Sequence, residues 1–260
     1  MGIQPEHYII ARSQLSVGKL RMSSNLALKL REGTKKAHTM AENTGFIACF
    51  LRGTVEKSSY RKLVANLYYV YSAMEEEMHR LKDHPVMGKI YFPELDRKAS
   101  LEHDLAYYYG PNWRSEIAAS QATQAYVAQI KKVAQEDPEL VIAHLYTRYI
   151  GDLSGGQILK KIAVNAMNLN EGEGTNFYEF AQISDEKAFK KMYRETLDSL
   201  PVDEAKADQI VEEANDAFHH NMNMFQELEG NLIKAIGIQL FNLLTRRNRR
   251  GSTELATAEN

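Results

Sequence analysis

The sequence predicts an all-α fold built as a single domain. Apolar residues recur at helical spacing along almost the whole chain, and the strict alternation typical of a half-buried strand is nearly absent. No linker of distinct composition divides the chain, and no repeat or low-complexity tract interrupts it. A chain of 260 residues is long enough to bury a sizeable core in one helical domain. We expect about seven to nine helices.

The first half of the chain contains two clear helical signals. Ser23 and Ser24 are suitable N-caps for a helix that runs toward Gly45. A second helix is predicted from Ser58, because its apolar residues follow the i, i+3, i+4, i+7 rule and Pro85 lies beyond its end. Loops are then predicted at the Gly110–Pro111 pair and in the segment NEGEGT at residues 170–175.

Two helices are predicted in the second half. Asp137 followed by Pro138 is a typical N-cap and first-turn pair, and it opens a helix that continues into the run YTRYIGDLSGGQILKK at residues 146–161. Asp203 opens a last long helix, for which we predict a break near Gly230. We expect residues 1–22 to form a disordered extension and residues 248–260 a disordered polar tail.

Composition excludes several classes of protein. Hydrophobic and charged contents of 44% and 25% are ordinary for a soluble protein, and a net charge of −2 predicts no bulk affinity for nucleic acid. The single cysteine, Cys49, excludes an internal disulfide and suits a reducing cytoplasm. No segment is long and apolar enough to anchor the chain in a bilayer, and the N-terminus does not resemble a secretory signal.

Three glycines lie within the predicted helix at residues 146–161, and each weakens it by about 1 kcal/mol relative to Ala. Gly151 and Gly155 share one face, and Gly156 lies beside Asp152. A bare strip of backbone edged by one carboxylate suits a broad, planar ligand. Close helix–helix packing through small residues is the alternative interpretation, and the glycines alone do not decide between the two.

The first helix carries a histidine stripe. Arg31, Lys35, His38 and Glu42 are 4, 3 and 4 residues apart and lie within about 60° of one another. A neutral imidazole that binds a metal usually donates its other N–H to a carboxylate or carbonyl, and Glu42 is placed to accept it directly or through water. The cations would then meet acidic groups on the ligand. A solvated face with ion pairs remains the simpler alternative.

Other candidate positions are less specific. Lys190 and Arg194 are i, i+4 and suit the same acidic edge or an ordinary exposed face, and Phe218 lies on an apolar stripe that suits either a core or a cofactor pocket. Glu76 and His79 form one Glu-x-x-His half-site of a di-iron bundle, which needs a second copy that the sequence lacks. The acidic run at residues 75–77 is therefore predicted to be a solvated face.

With these features in view, the chain resembles the heme oxygenases, specifically the ferredoxin-dependent type of cyanobacteria and plastids. The resemblance spans about residues 23–247 and rests on the blocks LREGTKKAHTMAEN, NLYYVYSAMEEEM, YFPELDRKASLEHDL, HLYTRYIGDLSGGQILKKIA, KAFKKMYRETLDSL and EANDAFHHNMNMFQELE. It implies a single-domain helical bundle with heme b, both substrate and cofactor, between a proximal and a distal helix.

The resemblance also implies a role for each candidate residue. His38 would bind the iron with Glu42 as its partner, and Tyr146 and Phe218 would contact heme. Asp152, Arg148 and Tyr71 would be the catalytic group that organises a distal water network. The heme propionates would be held by Arg31, where many relatives have Lys, and by Lys35, Lys190 and Arg194. The distal backbone over the iron would be formed by Gly151, Gly155 and Gly156.

The implied reaction cleaves heme at the α-meso carbon with O2 to biliverdin IXα, carbon monoxide and ferrous iron. Reduced ferredoxin would deliver electrons to a basic patch comprising Lys35, Lys36, Lys57, Arg61 and Lys62. A bilin reductase would receive the product for phycobilin synthesis in the cytoplasm, or in the plastid stroma of an alga. A heme carrier or sensor without turnover, a di-iron oxidase and a purely structural bundle are the competing interpretations.

Overall fold

The computed structural model describes residues 25–170 and 172–236, with side chains described as far as Glu229. Within these ranges the chain forms helices and no β-strand, so the all-α prediction is confirmed. The predicted tails at residues 1–22 and 248–260 lie outside the described residues, as do the caps predicted at Ser23 and Ser24. The first described helix begins at Leu26, directly after Asn25.

The described part of the chain contains ten α-helices, slightly more than the expected seven to nine because two of them are only four and five residues long. Their bounds are α1 Leu26–Glu42, α2 Gly45–Leu51, α3 Lys57–Arg80, α4 Lys98–Tyr109, α5 Trp113–Glu116, α6 Gln121–Glu136, α7 Val141–Leu145, α8 Gly151–Met167, α9 Glu186–Ser199 and α10 Glu204–Ile236. A π-helical segment, Tyr146–Ile150, joins α7 to α8. Short 3-10 turns lie at Met87–Ile90, Pro93–Leu95, Pro138–Leu140 and Asn176–Tyr178.

The long helix α10 is the centre of the packing. It packs against α1, α2, α3, α6 and α7. The α1 backbone approaches it closely at Gly33, where an added Cβ would lie 2.4 Å from Cγ1 of Val211. Because α1 and the π-helical segment both contact α10, this helix brings the two halves of the chain to one site.

The predicted N-terminus of α10 is confirmed, but the predicted break near Gly230 is wrong. Asp203 caps the helix by accepting a 2.8 Å hydrogen bond from the Lys206 amide, and the backbone stays helical through Gly230 to Ile236. A single glycine lowers helix stability by only about 1 kcal/mol, which the extensive packing of α10 outweighs.

The helix predicted to start at Asp137 is more complex than the sequence indicated. A 3-10 turn covers Pro138–Leu140, and the Asp137 side chain makes no capping hydrogen bond; it forms an ion pair with Lys206 instead. The chain then passes through α7 and the π-helical segment, so the three glycines lie in the first two turns of α8. A π-helical turn adds one residue to the helical repeat and re-aims the side chains that follow it.

The acidic run at residues 75–77 is not the solvated face that we predicted. Glu77 is buried and pairs with Arg80 at 2.6 Å, while Glu76 is exposed on α3. Glu75 turns toward the start of α4, where its Oε1 accepts the Arg97 amide at 2.6 Å and the Lys98 amide at 2.9 Å. Burial raises the pKa of Glu75 to about 7, against the lowering effect of these hydrogen bonds.

This shift makes stability depend on pH in a defined direction. Because the pKa of Glu75 is raised on folding, its contribution to stability is present below the unfolded value of 4.5 and is lost as pH rises through about 7. The Glu75→Gln variant keeps a side-chain acceptor and cannot ionise. We expect it to match the parent at pH 5 and to exceed it at pH 8 by on the order of 2 kcal/mol in urea unfolding. The control is Glu76→Gln, and an equal difference at both pH values would contradict the prediction.

Candidate functional site

The predicted histidine stripe lies on an open face of α1. The His38 side chain is 54% exposed, and its ring packs edge-on against Phe218 of α10 with 5.6 Å between ring centroids. Glu42 Oε1 lies 3.7 Å from His38 Nδ1, beyond direct hydrogen-bond distance but within reach of a bridging water. The imidazole is therefore oriented by an apolar ring on one side and a carboxylate on the other, with much of its surface open to a ligand.

A second group of side chains forms a buried network centred on Arg148 of the π-helical segment. Its Nε donates to the Tyr71 hydroxyl of α3 at 3.0 Å, and its Nη1 donates to Oδ1 of Asn221 of α10 at 2.8 Å. The Tyr71 hydroxyl in turn donates to Oδ2 of Asp152 on α8. Arg148 Nη2 lies 3.6 Å from the other carboxylate oxygen. Three predicted catalytic residues thus converge, although Tyr71 and Asp152 are 81 positions apart in the sequence.

Arg148, Tyr71, Asp152 and Asn221 are called the distal network below, after the position that the resemblance implies for the first three. Their environment sets their protonation. Burial raises the pKa of Asp152, while Arg148, the Tyr71 hydrogen bond and Arg97 act to lower it. Burial also raises the pKa of Tyr71 well above its ordinary value, so this hydroxyl remains a neutral donor. Burial by itself lowers the pKa of Arg148, but the neighbouring Tyr71 and Asp152 raise it overall. A carboxyl with a raised pKa beside a fixed donor and a fixed cation is suited to proton transfer.

The three glycines of α8 divide into two kinds. An added Cβ at Gly151 or Gly155 would meet no atom within 4 Å, so at these two positions the helix presents open backbone. At Gly156 the same atom would lie 3.3 Å from Cδ1 of Tyr178, which is close packing. Both interpretations of the glycine pattern therefore apply, the bare strip to the first two positions and small-residue packing to the third.

Two guanidinium groups lie near Tyr146, the first residue of the π-helical segment. Burial raises the pKa of Tyr146, and the guanidinium groups of Arg194 and Arg31 lie close enough to oppose this shift. Lys190 Nζ lies 3.5 Å from the Leu153 carbonyl oxygen of α8. The cations predicted on α1 and α9 thus gather beside the strip, and Lys35 lies exposed on the same stripe of α1 as Arg31.

Helix α10 connects the histidine stripe to the distal network. Phe218 contacts His38, and Asn221, three residues later, contacts Arg148. Residues i and i+3 share one face of a helix, so both groups border the same surface of α10. A flat, apolar ligand with an acidic edge fits this arrangement, with one imidazole available on the α1 side and backbone with a carboxyl on the α8 side.

Other kinds of centre find less support in the described part of the chain. Among the described residues, no group of three or more His, Cys, Asp and Glu side chains is arranged to hold a metal ion. Glu76, the carboxylate of the Glu-x-x-His pattern, lies 3.6 Å from Lys98. No helix in the described ranges is long and apolar enough to cross a membrane.

The comparison with protein families decides among the remaining interpretations. The family model described as heme oxygenase matches residues 24–227, which include every candidate site residue. The chain belongs to the heme oxygenase family. This finding confirms the resemblance seen in the sequence and the inference that the protein is an enzyme.

Individual heme oxygenases are similar over nearly their full length. Heme oxygenase 1 of a Nostoc species is 70% identical over 92% of this chain and 100% of its own length, and heme oxygenase 1 of a Synechocystis species is 68% identical with the same coverage. The crystal structure of the Synechocystis heme oxygenase 1 in complex with heme matches with a TM-score of 0.81 over 85% of this chain and 99% of that one. Heme oxygenase 2 of the same genus, determined with heme and NO, matches with a TM-score of 0.86 at 51% identity over 88% of this chain and 96% of that one.

Several residues around the site were not identified from the sequence. No local pattern singles out Asn221, which accepts from Arg148, Arg97, which donates to the Glu179 carbonyl, or Asp104, which accepts from the Phe177 amide. His144 is also fully buried, with its Nε2 3.0 Å from Glu213. Each of these partnerships joins residues far apart in sequence, so no local spacing signals it.

The Tyr71 hydroxyl serves both Arg148 and Asp152, so its removal should be costly. We expect Tyr71→Phe to lower the free energy of unfolding by about 1–3 kcal/mol, because both partners lose a buried hydrogen bond. The matched control is Tyr69→Phe, which removes one 3.2 Å hydrogen bond to the Ile117 carbonyl and should cost less than about 1 kcal/mol. Equal losses in urea unfolding would show that the network does not depend on Tyr71.

Proposed function

We propose that this protein cleaves heme b at the α-meso carbon to biliverdin IXα, carbon monoxide and ferrous iron, using O2 and electrons from reduced ferredoxin. The observation that carries the proposal is the pairing of an open histidine on α1 with an open glycine backbone and a buried Asp–Tyr–Arg network on α8, α3 and the π-helical segment. Family membership supports the same reaction. The product would serve bilin synthesis in the cytoplasm through a bilin reductase, as we inferred from the resemblance to cyanobacterial enzymes.

The residues present fit heme on both faces. His38 would bind the iron, and Glu42 would orient the imidazole through water, since the two side chains are 3.7 Å apart. Phe218 is buried, with 8% of its surface exposed, and it would offer an apolar edge to the porphyrin. On the other face, the empty space over Gly151 and Gly155 admits a flat molecule that any side chain there would obstruct.

The cations of α1 and α9, two of which lie near Tyr146, would determine how heme is oriented in the site. Arg31, Lys35, Lys190 and Arg194 offer positive charge from α1 and α9, which suits two propionates at one edge of a porphyrin. Arg31 is 67% exposed and lies 3.6 Å from Glu32, so it is free to reorient toward a ligand. If these cations hold the propionate edge of the porphyrin, the opposite edge lies inside the site. This orientation would select the meso carbon that is oxidised.

The distal network would supply protons. When bound, heme supplies the iron that activates O2 and the porphyrin that is cleaved. Asp152 would hold a water that delivers protons to the distal side, while Tyr71 and Arg148 keep its carboxyl in position. His144 of α7 lies in the core, with its Nε2 3.0 Å from Glu213, so its imidazole does not reach the glycine strip. A face that offers Asp152 and glycine backbone, with His144 turned into the core, would favour oxygenation of the ligand over peroxidase-type cleavage of O2.

The experiment that tests the function is an absorption time course with one equivalent of hemin, ferredoxin, its reductase and NADPH in air. We expect the Soret band to decay as a biliverdin band grows, and Asp152→Ala to lower the biliverdin yield about 100-fold, in the range of lost general acid catalysis. Glu136→Ala, an exposed acid on α6, is the control. A persistent Soret band in the parent under confirmed electron delivery would favour a heme carrier, and an undiminished yield in Asp152→Ala would refute the role of Asp152.

The open glycine strip predicts opposite effects on stability and binding. In Gly155→Ala the new methyl group meets no atom within 4 Å, so the heme-free protein should gain up to about 1 kcal/mol of stability. The same methyl group would touch a ligand lying on the strip, and we expect heme affinity to fall about tenfold. Gly156→Ala, whose methyl group would press on Tyr178, should show no gain in stability. Parent-like hemin affinity of Gly155→Ala in a spectrophotometric titration would contradict this assignment.

The predicted ferredoxin surface falls into two groups in the structure. Lys35 and Lys36 are exposed on α1 beside His38, whereas Lys57 and Arg61 of α3 lie over the rings of Tyr107 and Tyr109 of α4 at 5.1 Å and 5.0 Å. The fifth member, Lys62, is exposed on α3. The group on α1 lies next to the proposed iron ligand and therefore suits electron delivery better.

This division leads to a test with two arms. Ferredoxin-driven turnover should fall about tenfold between low and high salt, because the attraction between an acidic donor and a basic surface is screened. Lys36→Glu should weaken ferredoxin-driven turnover more than Lys57→Glu, with Lys131→Glu on α6 as the control. Turnover driven by ascorbate reports on the chemistry alone and should change in none of the three. Ferredoxin turnover that is indifferent to salt would refute this docking mode.

A further inference from the structure

The 3-10 turn Asn176–Tyr178 supports the distal network from behind. The Phe177 ring packs edge-on against the Tyr71 ring with 5.3 Å between centroids. Tyr178 packs against α8 at Gly156, and its carbonyl oxygen accepts a 2.9 Å hydrogen bond from Gln157 Nε2. The turn therefore contacts both the residue that donates to Asp152 and the helix that carries Asp152.

One carboxylate holds this turn in place. Asp104 of α4 is fully buried. Its Oδ1 accepts from the amide and the side-chain Nδ2 of Asn176 at 2.9 Å and 2.8 Å, and its Oδ2 accepts from the Phe177 amide at 2.8 Å. Three donors converge on a single side chain that is itself fixed on a helix. The orientation of Phe177 thus depends on both oxygens of Asp104.

The loop leading into the turn is built to fit the same helix. Gly174 has φ of +68°, and an added Cβ would lie 2.5 Å from the Tyr108 hydroxyl oxygen. That hydroxyl donates to the Gly174 carbonyl at 3.0 Å. Arg97 adds hydrogen bonds to the carbonyl oxygens of Phe177 and Glu179. The loop is therefore pinned on α4 before the turn and tied to Arg97 from the turn onward.

We propose that Asp104 is a positioning residue for the reaction, acting through Phe177 on Tyr71 and through Tyr178 on α8. Asp104 holds the ring of Tyr71 at the angle from which its hydroxyl reaches Asp152, and it fixes the height of the α8 backbone at Gly156. It touches neither the substrate nor Asp152. Its effect on the chemistry rests on the proposed function, whereas its effect on the position of α8 does not.

The test uses Asp104→Asn, in which an amide NH2 replaces one acceptor and faces the N–H of either Asn176 or Phe177. In the heme-free protein, we expect amide hydrogen exchange at residues 151–157 to accelerate about tenfold. In the hemin complex, we expect the pH at which the iron-bound water ionises to shift by about half a unit, since the distal hydrogen bonds to that water change. Biliverdin yield per heme should fall about threefold, with hemin affinity unchanged.

Two further variants keep the proposal testable. Phe177→Leu leaves Asp104 intact and removes the ring contact with Tyr71, and it should reproduce the shift of the ionisation pH even if Asp104→Asn folds poorly. Asp203→Asn disturbs the cap of α10, which is also a carboxylate accepting a backbone amide, and it should leave the ionisation pH and the exchange at residues 151–157 unchanged. Equal shifts in the Asp203 variant would reduce Asp104 to a general structural role.

The outcomes separate the two proposals. Unchanged exchange at residues 151–157 in Asp104→Asn, or an unchanged ionisation pH in both Asp104→Asn and Phe177→Leu, would overturn the positioning role. A parent protein that binds hemin and yields no biliverdin would overturn the proposed function instead. The hydrogen exchange and ionisation measurements would still test whether Asp104 positions α8 and Tyr71.

Discussion

The buried charge of Arg148 is the constraint on which the site depends. A guanidinium removed from water needs its donors satisfied, and its partners here come from three different elements: Tyr71 of α3, Asp152 of α8 and Asn221 of α10. Breaking a buried ion pair typically costs about 3–5 kcal/mol, so these elements are not free to separate. The need to neutralise Arg148 thus fixes the Asp152 carboxyl relative to α10, the helix whose Phe218 contacts His38.

The two sides of the site differ in a way that suits their proposed tasks. The α1 side is open: His38 is half exposed, and Arg31 and Lys35 extend from an exposed helix face. On the α8 side, the side chains of Asp152, Tyr71 and Arg148 are largely buried and hydrogen-bonded to one another beneath the open glycine backbone, so they are held in place before any ligand arrives. An open side can admit a large planar substrate, whereas a preorganised side avoids the energetic cost of reorientation during proton transfer.

The glycines of α8 show how one motif serves two physical needs. Gly156 lets α8 approach Tyr178 closely, which ties the helix to the turn that Asp104 holds. Gly151 and Gly155 face open space and contribute nothing to packing in the described structure. Glycine lowers helix stability at all three positions, but only Gly151 and Gly155 leave room for a ligand. The π-helical segment directly before them completes a local departure from regular helix that is frequent at functional sites.

The linear pattern was enough to predict the all-α class, α3, the start of α10, and the spacing that puts His38, Glu42 and the α1 cations on one stripe. These features depend on periodicity and caps, which are local and therefore visible in a linear pattern. Four features became visible only in three dimensions: α10 continues through Gly230, Glu77 is buried while Glu75 accepts two amides of α4, Arg148 joins Tyr71 to Asn221, and Asp104 holds Phe177. The burial of Glu77 depends on desolvation, and the Arg148 and Asp104 pairings join residues more than 70 positions apart. Such features arise from packing rather than from any spacing along the chain.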